Sequence, residues 1–137
     1  MDCIFCKIVT GQINTRTVTE TKNSIAFLDA FPLAKGHTLV IPKKHYEKIQ
    51  QMPQHESSDL FETVNKVVAK IEETITGATL IAIHNGKDAG QEIPHVHVHL
   101  IPRSPGDSAS AVHHMFTKKP NLSDSEFDQI LSKLKFG

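Results

Sequence analysis

Between Asp59 and Thr76 the apolar residues Leu60, Phe61, Val64, Val67, Val68, Ile71 and Ile75 recur at intervals of three and four, the period of a helix that buries one side. The pattern predicts a long helix over 59–76. Asp59 followed by Glu62 has the form of a capping box, and Gly77 stands where a left-handed C-terminal cap belongs. Ile4, Phe5, Ile8 and Val9 predict a short helix over 3–10 that Gly11 ends, while Ser123 with Glu126 opens a last helix through Phe127, Ile130, Leu131 and Leu134.

The remaining segments are rich in residues that favour strands. Segments 17–20 and 24–28 favour strands and are separated by Lys22 and Asn23, which predicts a hairpin. A third strand spans 37–41 and stops at Pro42, and a fourth spans 79–84. The fifth carries three histidines at alternate positions, HVHVHLIP from His95 to Pro102. Alternation puts His95, His97 and His99 on one face, expected to be wet, and Val96, Val98 and Leu100 on the other, expected to pack on the long helix. The result is an α+β fold, a five-stranded antiparallel sheet with helices on one side. Residues 103–121 mix Pro, Gly, Ser and Lys and read as a long loop.

At 137 residues the chain suits a single domain. Its organisation is read as a catalytic region over 1–103 and a tail over 104–137 whose short helix belongs to the same domain. Fifteen basic residues balance fifteen acidic ones, so no general attraction to nucleic acid or to an anionic membrane is expected. No apolar run approaches the roughly 20 residues that span a bilayer, and a cytoplasmic location is the expectation.

Neighbouring imidazoles of the fifth strand start about 6.6 Å apart, close enough for all three to serve one group of phosphate size. Neutral imidazole is also a good nucleophile toward phosphorus and the commonest metal ligand, so a phosphate-handling site and a structural metal site both remain open, beside an incidental half-buried strand. Cys3 and Cys6 are the only cysteines. Their C-x-x-C spacing suits half of a tetrahedral zinc site or a redox pair.

The run from Asn85 to Arg103, NGKDAGQEIPHVHVHLIPR, resembles the signature of the histidine triad (HIT) family of nucleotide hydrolases and transferases. FLDAFPLAKGHTLVIPKKH, from Phe27 to His45, and the N-terminal CIFCKI extend the resemblance. It implies His97 as nucleophile, His99 as donor to a nonbridging phosphate oxygen, and His37 as a further histidine orienting the triad. It also implies Asn85, Gly90 and Gln91 at the phosphate and leaving group, Asp29 on the ribose hydroxyls, and Phe5, Ile8, Phe27 and Leu28 around a purine base. Resemblance to zinc-containing prokaryotic members implies a structural zinc on Cys3, Cys6, His45 and His95, with no cofactor needed for catalysis, and a homodimer.

Two departures stand out. Glu92 follows Gln91 where many members carry a hydroxyl residue, and the C-terminus lacks the short aromatic ending of the phosphoramidase branch. The function implied is cleavage of nucleoside monophosphate conjugates, either phosphoramidates or dinucleoside polyphosphates, through a nucleotidyl-histidine intermediate. The alternative is a zinc-stabilised purine nucleotide-binding module with little catalysis.

Overall fold

A computed structural model describes residues 2–137. The chain forms two compact units, one running through Pro105 and the other Gly106–Gly137. The first holds α1 (Ile4–Val9), the strands β1 (Thr17–Glu20), β2 (Ser24–Leu28), β3 (Thr38–Pro42), β4 (Thr79–Ala82) and β5 (Val98–Pro102), and the helix α2 (Gln54–Thr74); the strands form one antiparallel sheet in the order β1-β2-β3-β5-β4. The second unit holds a 3-10 turn (Val112–Met115) and α3 (Asp124–Leu134). In α3 the capping box is realised: the Ser123 hydroxyl accepts from the Glu126 amide, and the Glu126 carboxylate accepts from the Ser123 amide. No helix of the described residues is long and apolar enough to cross a membrane.

The five-stranded antiparallel sheet and the long helix on it are as expected, but the sheet is covered on both faces. Ala26, Val40, Val96, Val98 and Leu100 meet Leu60, Val64, Val67 and Ile71 of α2. On the opposite face Ile25, Phe27, Leu39 and Ile41 pack with Cys3 and Phe5 at the start of α1. The reason is visible in β2 and β3, where successive residues are apolar in both directions and every residue of β3 is buried. Leu60 and Leu100 are fully buried, each contributing about 2 kcal/mol through removal from water.

The long helix begins five residues earlier than its apolar stripe suggests. Pro53 is the N-cap, its carbonyl accepting from Glu56 and Ser57, and its ring closes off any earlier turn. Asp59 therefore lies inside the helix, and its carboxylate accepts instead from the hydroxyls of Thr21 at 2.6 Å and Ser24 at 2.7 Å, tying the β1–β2 hairpin to α2. Gly77 does not cap the helix; Ile75 does so in a right-handed conformation. The glycine whose backbone matters is Gly36, at φ +92°, where a Cβ would lie 2.6 Å from Ile75 Cδ1 and 3.3 Å from Pro102 Cγ. Only glycine lets the chain enter β3 so close to the end of α2 and β5.

The fourth and fifth strands are shorter than their patterns, ending at Ala82 and starting at Val98. His95 and His97 precede the ladder, since only residues from Val98 onward pair with β3. Their alternation nevertheless continues the strand's.

Candidate active site

Register places the histidines. Leu39 of β3 stands opposite His99, and Ala82 of β4 stands opposite it on the other side. The imidazoles thus share the face of Leu39 and Phe27, the one α1 covers. This corrects the expectation of a wet face: His95 is 0% exposed and His97 7%, while His99 is half-buried. The Phe5 ring from α1 lies edge-on to both, 5.7 Å from the His95 centroid and 5.1 Å from that of His97.

Hydrogen bonds determine the proton on each ring. Nδ1 of His97 lies 2.7 Å from the His95 carbonyl oxygen, an acceptor, so Nδ1 carries the hydrogen and Nε2 keeps its lone pair. Nδ1 of His37 accepts from the Leu33 amide at 3.0 Å, so in the neutral ring Nε2 carries the hydrogen and donates to Nδ1 of His99, also at 3.0 Å. The hydrogen of His99 is then on Nε2, free to donate outward. Burial lowers the pKa of His37 and His97, and burial with the neighbouring His97, His37 and His84 rings pushes His99 down to about 4. These rings are neutral at physiological pH.

Asp29 follows β2, with one carboxylate oxygen accepting from the Phe31 amide at 2.9 Å and the other 3.6 Å from Nε2 of His37. Asp29, His37 and His99 form one of the two groups of metal-type donors among the described residues. The donor chemistry argues against a metal there, because Nε2 of His37 must keep its hydrogen while Nδ1 accepts from Leu33.

The second group is Cys3, Cys6, His45 and His95. Nε2 of His95 donates to the Pro42 carbonyl at 2.8 Å, turning Nδ1 toward Cys3 Sγ at 3.5 Å, Cys6 Sγ at 3.7 Å and His45 Nδ1 at 3.2 Å; Cys6 Sγ also lies 3.5 Å from His45 Nδ1. Tetrahedral zinc spaces two nitrogens about 3.3 Å apart and a nitrogen and a sulfur about 3.5 Å apart. The donor set fits zinc, and the Pro42 carbonyl supplies the outer partner that a ligating imidazole uses. Burial pushes the His95 pKa down to about 4, leaving the neutral ring that ligation requires. His97 stands outside this set.

The loop before the triad is held by its own amides. Gln91 accepts from the Gly86 amide at 2.8 Å and donates to the carbonyls of Glu47 at 2.8 Å and Ile93 at 3.1 Å. Asn85 accepts from the Ile49 amide and donates to the Gln50 side chain. Both side chains are engaged with protein. Gly90, at φ +101°, ends a short 3-10 turn (Lys87–Ala89) between them. Phe5 and Phe27 are buried together at 5.9 Å, Ile8 is partly buried beside them, and Leu28 is 37% exposed.

Sequence reading missed His84 at this site, and Tyr46 and Glu56 on the α2 side of the sheet. His84, just past β4, brings its ring centroid to 5.5 Å from that of His99; its alternation with Ala82 was a usable signal. Tyr46 follows His45, accepts at its carbonyl from Val96 at 2.7 Å, and donates its hydroxyl to the buried Glu56 carboxylate at 2.8 Å. Glu56, 2% exposed near the start of α2, carries no sequence signal of burial.

The model of the HIT domain matches residues 10–106. An HIT-like protein of Methanocaldococcus jannaschii is 40% identical over 133 residues, covering 97% of this chain and 98% of its own. An adenosine 5'-monophosphoramidase of Schizosaccharomyces pombe is 42% identical over 103 residues, 75% of each chain. The crystal structure of a zinc-bound histidine triad family protein from Mycobacterium smegmatis superposes with a TM-score of 0.74 at 32% identity, covering 98% of this chain and 96% of that one. With a family model spanning most of its length and a relative 40% identical over nearly the whole of both chains, this chain belongs to the HIT family.

Proposed function

We propose that the chain is a nucleotidyl hydrolase or transferase that cleaves purine nucleoside monophosphate conjugates, with phosphoramidates first and dinucleoside polyphosphates second, through a covalent bond to His97. The observation that carries this is the 2.7 Å hydrogen bond from His97 Nδ1 to the His95 carbonyl, which leaves Nε2 as a neutral nucleophile. Nε2 attacks phosphorus, the leaving group departs opposite, and water then displaces His97. His99, donating from Nε2, serves the nonbridging oxygen where charge shifts in the transition state. His37 holds His99 in that tautomer.

Asp29 is assigned to the ribose hydroxyls, and Phe5, Ile8, Phe27 and Leu28 to the wall against the base. Gln91, Asn85 and Gly90 shape the phosphate loop, with the two amide side chains bracing it through the bonds they make. Zinc held by Cys3, Cys6, His45 and His95 supplies a closed, structural shell and no reacting position. Those ligands fasten α1 to the sheet and hold the His95 carbonyl under the His97 ring. A twofold homodimer is part of the same proposal; β4 is an edge strand whose Leu80 and Ile81 are 39% and 49% exposed, and Phe61 of α2 is 40% exposed.

The test compares wild type with His97→Ala on a fluorogenic adenosine phosphoramidate and on diadenosine polyphosphates, with mass spectrometry of enzyme quenched and digested in alkali. Expected are turnover by wild type, loss of at least 10³-fold in the variant, and a mass gain of one nucleotidyl group on the peptide carrying His97. Equal turnover by both proteins overturns the proposal. Saturable nucleotide binding without turnover of any conjugate favours the binding module instead.

A further inference from the structure

The cross-strand register runs Leu80 opposite Ile101, Ile81 opposite Leu100 and Ala82 opposite His99. Continued by two residues, it brings His84 opposite His97, on the same face. The ring is where this extension puts it: its centroid is 5.5 Å from that of His99, and it lies against Gly90, where a Cβ would come 3.6 to 3.8 Å from three of its ring atoms. His84 is half-buried. Among the described residues it is the one imidazole of this row with no hydrogen bond to either ring nitrogen; His37, His95, His97 and His99 each have at least one nitrogen engaged.

We propose that His84 is the proton carrier of the reaction, giving its proton to the departing amine of the nucleotide conjugate and recovering one from the attacking water. This rests on the nucleotidyl-transfer reading above and extends it. In the first step the bond from His97 Nε2 to phosphorus forms and the P–N bond breaks. Its electron pair goes to nitrogen, which takes the proton of the His84 imidazolium. In the second step the water oxygen bonds phosphorus, the P–Nε2 bond breaks, and its pair returns to His97. The water's proton goes to His84, restoring the starting charge.

Proton accounting singles out His84. An amine cannot leave as its anion at neutral pH, so the P–N bond breaks only with a proton delivered. The hydrogen of His97 sits on Nδ1, bonded to the His95 carbonyl on the side away from phosphorus. Neutral His99 and His37 each hold one hydrogen; giving it up would leave an imidazolate, and the pair is linked Nε2 to Nδ1. His84 alone in the row has both nitrogens available. The groups facing it are the imidazoles of His97 and His99 and, from the loop, the backbone of Gly90.

The experiment uses full-length, zinc-loaded protein and two conjugates of AMP. One has a primary alkylamine leaving group, which needs a proton; the other has p-nitrophenol, which leaves as a stable anion. For His84→Gln, which can still hydrogen-bond but carries no titrating proton, the ratio of kcat/KM for amine over ester falls about 100-fold. His84→Asn gives the same ratio, guarding against one poorly folded variant. Glu92→Gln, removing an exposed carboxyl on the neighbouring loop, keeps the wild-type ratio.

An unchanged ratio in the His84 variants, whether both rates fall together or neither falls, overturns the proposal, as does a ratio that moves with Glu92→Gln instead. Failure of the underlying reading has a different signature: p-nitrophenol release that survives His97→Ala.

Discussion

Nε2 of His37 lies 3.0 Å from Nδ1 of His99, and since Nδ1 of His37 already accepts the Leu33 amide, the contact has only one direction in the neutral state. A residue just before β3 thereby sets which nitrogen of a β5 histidine can address a ligand. His37→Ala removes about 1 kcal/mol of orientation and should lower kcat roughly fivefold to tenfold with KM little changed. His99→Ala removes the donor itself and should cost about 10²-fold. Steady-state kinetics on the two variants and the double variant check this; full additivity in the double variant would contradict the coupling.

The same burial gives a pH dependence of stability. His99 has a folded-state pKa of about 4 against 6.5 ordinarily, and His37 is lowered as well. The unfolded chain therefore binds protons first as pH falls. The stability is fully present above pH 6.5 and is lost between about 6.5 and 4, with the slope set by linkage. Urea titrations from pH 8 to 4, with NMR titration of the His99 ring near pH 4, test it. Stability that is flat to pH 4.5 would contradict the shift.

Zinc content is the third expectation. Protein purified without chelator should hold one zinc per chain, and His45→Ala or Cys6→Ser should lose it and lower Tm by several degrees. Elemental analysis and thermal unfolding provide the readout. Metal-free protein with wild-type Tm would remove zinc from the account.

Asp59 concerns the scaffold. Its carboxylate accepts two short hydroxyl bonds from the β1–β2 hairpin, and Ser24 is fully buried. Asp59→Ala leaves those hydroxyls unmatched and should cost about 2 kcal/mol, read as a lower urea midpoint at constant slope. A change within 0.3 kcal/mol, roughly the size of an ordinary surface substitution, would show that the contact is not stabilising.

Gly36 couples backbone to site. Gly36→Ala should cost about 1 to 2 kcal/mol for a left-handed residue with a side chain, and more from the contact with Ile75 Cδ1 at 2.6 Å. Ile75 is 51% exposed and can yield, so adding Ile75→Ala should recover the contact part only. Complete recovery in the double variant would show that the φ angle carries no cost.

Much of this architecture was legible because its information is local. The hairpin strands Thr17–Glu20 and Ser24–Leu28 match their patterns residue for residue, and so does the start of α3, where Ser123 and Glu126 of the capping box are three positions apart. The α2 start was hidden because Gln54 to Ser58 carry no apolar stripe; a proline cap and the burial of Glu56 decided it. His45 and the two cysteines became a donor set through the family resemblance, since no spacing in the chain relates residue 6 to residue 45.

By itself, then, the sequence determined the helices, the strands and the alternation that gathers the histidines on one face, because those depend on neighbours two to four positions apart. Tertiary structure decided which face α1 covers, which nitrogen of each ring bears hydrogen, and that His84 stands beside the triad. Those outcomes depend on strand register and on backbone carbonyls brought from distant segments, and no periodicity along the chain encodes a partner dozens of residues away.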